Sequence, residues 1–307
     1  MALTELARAL SSPPPTTVRG RLRKLADLGI LERRREAGFA GAVELELTAA
    51  GTALIPVAGA LQSWLEQSPQ GSLTLGTISA KGAISALTEG WSTAVVRVLS
   101  ATPLSLTQLN RLISGVSYPS LERRITAMRM CGHIERVASK DRGTPYGVTN
   151  WLRDSTGAVV AATRWERKYA PGALGSLSRL DVEAILLLSI PRIRLPEARS
   201  GVCRLVFELH RGSSGPELVG LTVRVEAGRA VTWAAQLTGD ASAWAVGSVS
   251  AWLDALVSGD SDWLELGGDL GFAKDLVEGL SGILRQAEPD PPPQPEVGQI
   301  SLITQKP

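Results

Sequence analysis

Two stretches of the chain repeat one order of apolar and polar positions. Leu3–Arg33 lies over Leu106–Arg136 at a constant offset of 103 without a gap, and nine of the 31 pairs are identical, Leu6/Leu109, Arg8/Arg111, Arg21/Arg124 and Gly29/Gly132 among them. Self-similarity of that extent reads as an internal duplication. Each copy predicts a short helix (Leu3–Leu10; Leu106–Ile113), a turn, and a second helix (Thr16–Leu28; Pro119–Cys131) closed by a glycine suited to a helix C-terminus. Val18, Leu22 and Leu25 recur at helical spacing in the first copy and Leu121, Ile125 and Met128 in the second, so that stripe faces inward.

The opposite side of each second helix is polar and basic. Thr17, Gly20, Arg23 and Lys24 point outward in copy one with Arg19 and Arg21 on the flanks; Ser120 and Arg123 point outward in copy two beside Arg124. Such a face suits a major groove, where arginine reads guanine edges and hydroxyls hold phosphates. A hairpin follows each helix, Ile30–Glu36 with Val43–Thr48 and His133–Ala138 with Tyr146–Thr149. Arg33, Arg34 and Arg35 line the first, and Lys140 and Arg142 cap the second. Helix, turn, helix and wing predict two tandem winged helix-turn-helix modules.

A long helix succeeds each wing, Ala49–Gln67 and Asn150–Lys168. The second ends Arg164-Trp165-Glu166-Arg167-Lys168, which fits a DNA-touching end and a solvated face equally well. The second copy also has a helix ahead of its repeat, Ser92–Ala101, whereas the first begins at Met1. Leu6, Leu10 and Leu25 therefore need cover from elsewhere: a start site truncated relative to relatives, residues Ala80–Thr88, or a partner chain.

Beyond a Gly/Ser/Pro-rich linker at 171–179 the pattern changes to a helix from Asp181 to Ile190, then three alternating strands. These are followed by helices Ala241–Val257 and Asp269–Leu284. The order predicts a small α+β domain over 180–286, with a Pro-rich tail over 287–307 whose Gln299–Thr304 stretch alternates like a strand. Phe207, Trp233, Trp244, Ser248, Trp252 and Leu256 are candidates to line an apolar effector cavity or, equally, to fill a core. The fold class expected is multi-domain α+β: module 1–68, connecting segment 69–90, module 91–170, then the C-terminal domain.

Composition narrows the function. The net charge of +2 conceals 21 Lys/Arg against 13 Asp/Glu in residues 1–170 and 11 against 17 in residues 171–307. The first half is the candidate for a polyanionic partner. Two cysteines, Cys131 and Cys203, and two histidines, His133 and His210, form no metal-ligand or catalytic spacing, so neither a metal, a cofactor nor an enzyme is expected. No apolar run reaches the roughly 18 residues of a membrane span and no signal segment is evident, so a cytoplasmic location is expected.

Three runs in the second copy carry a resemblance: Leu104-Ser105-Leu106-Thr107-Gln108-Leu109, Ser117-Tyr118-Pro119-Ser120-Leu121-Glu122-Arg123-Arg124, and Gly143-Thr144-Pro145-Tyr146-Gly147-Val148-Thr149 leading into Trp151-Leu152. Together they resemble HxlR-type winged-helix regulators of bacteria. Copy one resembles them less closely, since Pro13-Pro14-Pro15-Thr16-Thr17 replaces the Ser-Tyr-Pro-Ser run. The resemblance implies a recognition helix started by Ser117, Tyr118 and Ser120, a reading Arg123, a wing carrying Lys140 and Arg142, and a homodimer or an in-chain substitute for one. The stretch Ala243–Gly259 with Leu266-Gly267-Gly268-Asp269 resembles sterol-carrier-like domains. The resulting expectation is a sequence-specific, effector-responsive transcription regulator, a repressor, on double-stranded DNA. A glycosylase-like enzyme on duplex DNA and a protein-binding winged-helix adaptor stay open as alternatives.

Overall fold

The computed structural model describes residues 14–35, 43–88, 90–138, 143–171, 177–210 and 216–286. They divide into two compact units, one drawn from residues 1–59 and 162–175, the other from 60–161 and 176–288.

In the first unit, helix α1 (Pro15–Asp27) leads into the antiparallel hairpin β1 (Leu31–Arg35) and β2 (Val43–Leu47), paired from Leu31↔Leu47 to Arg35↔Val43. Proline at the first turn suits the helix start, where a backbone N–H has no partner to lose. Ile30 packs with Leu25, Ala50, Ala53, Leu54 and Val57 and with Trp165, Tyr169 and Ala170. Trp165 and Tyr169 come from the end of the second long helix, α7 (Asn150–Tyr169), and Ala170 follows it; the Trp165 indole donates to the Ala50 carbonyl at 2.7 Å. Leu25 is thus covered by α7. The expected cover from Ala80–Thr88 is corrected: Ala80, Ala83 and Ile84 of helix α3 (Ile78–Thr88) pack against Trp64, Leu65 and Trp151 in the other unit. Leu6 and Leu10 lie outside the described residues.

The second unit contains the end of helix α2 (Ala49–Glu66), then α3, α4 (Gly90–Ala101), α5 (Leu106–Leu112), α6 (Tyr118–Met130) and the hairpin β3 (Ile134–Arg136) with β4 (Tyr146–Val148). Ser105 and Gln108 form a reciprocal capping box that starts α5. Leu104 exchanges backbone hydrogen bonds with Tyr146, adding a third short strand position to the hairpin. Val95, Leu99, Leu109, Leu121, Ile125, Met128 and Leu152 close the core between these elements.

The two copies share more than residue pattern. Thr48 accepts from the Gly51 amide while its hydroxyl donates to the Gly29 and Ile30 carbonyls; Thr149 accepts from Leu152 and donates to Gly132 and His133. Each second helix also ends in one hydrogen-bond pattern, Ile30 to Leu25 in one and His133 to Met128 in the other. A glycine at positive φ, 68° at Gly29 and 82° at Gly132, makes each of these turns.

A five-stranded sheet of order β7-β6-β5-β8-β9 forms the rest of the second unit: β5 (Gly201–His210), β6 (Pro216–Glu226), β7 (Arg229–Ala234), β8 (Ala243–Gly247) and β9 (Glu265–Gly268). All pairs are antiparallel except β5 with β8. Helices α8 (Arg179–Ser189), α9 (Val249–Ser258) and α10 (Leu270–Gln286) bury the face carrying Cys203, Leu205, Phe207, Leu221, Val223 and Val225.

The expected helix Ala241–Val257 is therefore two elements. Ala243–Gly247 is a strand because Ala243 and Ala245 fit beneath the helices while the parallel register with β5 supplies its backbone hydrogen bonds. Ser248 then caps α9, accepting from the Ala251 amide.

Helix α8 serves two cores. Its Ala184 and Leu188 pack with Val95, Leu99 and Leu152, while Val182, Ile185, Leu186 and Leu187 pack beneath the sheet. Glu183, fully buried, pairs with Arg97 of α4 and with Arg179. The Thr93 hydroxyl donates to Asp181, and the Trp233 indole donates to the Ser100 carbonyl at 2.9 Å. The second copy and the C-terminal sheet are joined through shared side chains.

Candidate nucleic-acid interface

Helix α1 buries Val18 and half-buries Leu22, Leu25 and Ala26, which leaves Thr16, Thr17, Arg19, Gly20, Arg21, Arg23 and Lys24 exposed. Among the described residues none of the four cations has an ion-pair or hydrogen-bond partner. A ligand oxygen would meet no competing carboxylate on them. Arg34 and Arg35 belong to β1, but their side chains lie outside the described residues, as does all of Lys140 and Arg142.

In the second copy Ser117, Tyr118 and Arg123 are exposed and Ser120 is half-buried. The Ser117 hydroxyl donates to Ser120 Oγ at 2.9 Å, and Arg123 donates to that same oxygen at 3.3 Å. Turned to Ser120, Ser117 makes no side-chain bond to a backbone amide of the helix it starts. This short relay orients the Arg123 guanidinium over an open hollow of about 270 Å³ lined by Ser120, Arg123, Arg124 and Ala127.

Arg124 needs a correction. Only 9% exposed, it folds back and donates to the Ala86 carbonyl of α3, so it forms the floor of that hollow and is not an outward reader. Its counterpart Arg21 is exposed. The difference is one of surroundings, since a helix stands behind Arg124 with a carbonyl to receive it. One exposed residue of the face escapes the sequence reading, Thr126, whose position one turn beyond Arg123 places it on the outward side of α6.

The family match falls on the first copy. Residues 1–71 match the model of the HxlR-like helix-turn-helix family. This N-terminal segment is similar to the HxlR-like helix-turn-helix, of a kind used by DNA-binding transcription regulators. The resemblance noted in the sequence is carried mainly by residues 104–152, the second copy of the same pattern. No curated protein and no solved structure matches the chain. No helix among the described residues is long and apolar enough to cross a membrane.

The candidate effector residues do not converge on a cavity. Phe207, Trp252 and Leu256 are fully buried; the two rings lie 5.5 Å apart and the Trp252 indole donates to the Val206 carbonyl at 2.8 Å. Ser248 caps a helix, and Trp244 stands on the opposite, open face of the sheet, its ring over Gly267. Trp233 alone borders a hollow, of about 300 Å³, whose other walls include Thr222, Arg224, Thr232, Thr238 and Asp240. Those walls are mostly polar, and of the two readings open in the sequence, effector cavity or core, Phe207, Trp252 and Leu256 have the surroundings of a core.

Proposed function

We propose that this protein is a sequence-specific duplex DNA-binding transcription regulator carrying two winged-helix modules, and that it represses by occupying its site. The carrying observation is the face of α1: four exposed cations without partners among the described residues, on the second helix of a segment that matches an HxlR-like helix-turn-helix. The second module rests on its shared hydrogen-bond pattern and on the Ser117–Ser120–Arg123 relay. Repression needs nothing beyond occupancy. Any effector acts by binding one arrangement of the DNA-competent modules better than another. The joint through which it would reach the second module is Arg97–Glu183, Thr93–Asp181 and Trp233–Ser100.

A gel-shift titration with the DNA upstream of the protein's own coding region tests the reading. A retarded species that resists excess random duplex supports it. Equal competition by random and upstream duplex removes the sequence-specific part, and no retardation at low salt removes the DNA-binding part.

A further inference from the structure

The two outward helix faces are built for different tasks. At about 100° per residue, the line directly opposite the buried stripe runs through Thr16, Gly20 and Asp27 in α1 and through the equivalent Pro119, Arg123 and Met130 in α6. In α1 the middle of that line is a glycine with open space where a Cβ would stand. The cations sit to either side, Arg19 and Arg23 on one flank and Lys24 and Arg21 on the other.

A helix in a major groove meets base edges along its outermost line and the two phosphate backbones along its flanks. Copy one therefore offers charge to both backbones and almost no side chain to the bases. Copy two inverts this. Arg123 stands where copy one has Gly20, and Glu122 stands where copy one has Arg19, while Arg124, matching Arg21, is turned inward onto Ala86. Its outermost line carries a hydrogen-bond-held arginine, the side-chain type that reads guanine edges, and the flank that holds Arg19 and Arg23 in copy one holds Glu122, an acid that phosphate repels, and the uncharged Thr126.

We infer that the two copies divide the work on DNA: α1 grips the phosphates whatever the sequence, and α6 discriminates bases through Arg123. This rests on the DNA-binding reading above.

The experiment uses the full chain and two labelled duplexes, one enriched by the protein from a random pool and a scrambled version of it, with fluorescence anisotropy across a salt series. Changing Arg19, Arg21, Arg23 and Lys24 together to alanine is expected to weaken both duplexes alike. It should flatten the log–log salt slope by about 3 to 4, near 0.9 per lost phosphate contact, and leave their affinity ratio within about twofold. Arg123→Ala should cut that ratio about 10- to 100-fold and change the slope by no more than about one. Arg123→Lys keeps the charge without the fork, so it should lose discrimination while retaining the slope.

All of these positions are exposed, and unchanged circular-dichroism melts would show that the variants fold. The inference is overturned if the fourfold variant collapses the ratio or Arg123→Ala preserves it. Absence of any duplex binding by the unaltered protein instead overturns the DNA reading, and this division with it.

Discussion

Trp64 and Trp151 exchange hydrogen bonds, each indole N–H donating to the other's backbone carbonyl, at 2.8 and 2.7 Å, with the rings stacked 4.4 Å apart. Both rings are almost fully buried, so each bond replaces water that could not otherwise be supplied. Trp64→Phe keeps the stack and removes one donor, and is expected to lower stability by about 1–2 kcal/mol in urea unfolding. Trp151→Ala removes the ring and one donor and should cost about 3–5 kcal/mol.

His133 lies beside this pair, its ring 5.1 Å from Trp151 and nearly parallel. Neither ring nitrogen has a hydrogen-bond partner, and burial, aided by the Arg124 charge, lowers its pKa from 6.5 to about 4. The unfolded chain therefore takes up a proton that the folded chain refuses. The resulting stability is complete above about pH 6.5 and is lost as the pH falls toward 4, to the extent of about 3 kcal/mol. The first copy has Ile30 at this position. His133→Ile should flatten the fall in melting temperature between pH 7 and 4.5; an unchanged fall would assign it to other groups.

The two glycines that close α1 and α6 make a paired test. Gly29 has φ 68° and open space where a Cβ would stand, whereas at Gly132 a Cβ would meet the Pro69 ring at 2.6 Å. Gly29→Ala should cost only the left-handed backbone strain, about 1–2 kcal/mol. Gly132→Ala should cost clearly more, since ring and backbone must also shift. Equal thermal shifts for the two would contradict this packing.

Because α8 supplies Ala184 and Leu188 to one core and Ile185 and Leu186 to the other, those two cores should unfold together. Glu183→Ala leaves Arg97 and Arg179 without their shared carboxylate and is expected to cost about 3 kcal/mol. Far-ultraviolet circular dichroism and tryptophan fluorescence should shift in parallel. A variant that separates one transition into two would show the cores to be independent.

The parts of the fold legible in the sequence are those with local causes. The inward stripe of Leu121, Ile125 and Met128 and the glycine closing each helix are periodic and short-range, and both appear as expected. Ala243–Gly247 reads as helix because small residues and a tryptophan carry no clear period, and only pairing with β5 settles it as a strand. Long-range partners are equally invisible: the cover given to Leu25 by Trp165, the carbonyl of Ala86 that draws Arg124 inward, and the use of α8 by two cores. For the same reason Phe207 and Trp252 read alike in sequence whether they surround a cavity or fill a core, and only their contact in the fold, rings 5.5 Å apart, shows how they pack.

If outward basic helices bring this chain to specific duplex DNA, as proposed, repeated selection from a random duplex pool by the full-length protein, at about physiological salt, tests it most directly. Enrichment of a defined sequence motif is expected, with a recovery that falls steeply as salt rises. Recovery of the starting pool's composition, with no duplex retained even at low salt, would contradict it.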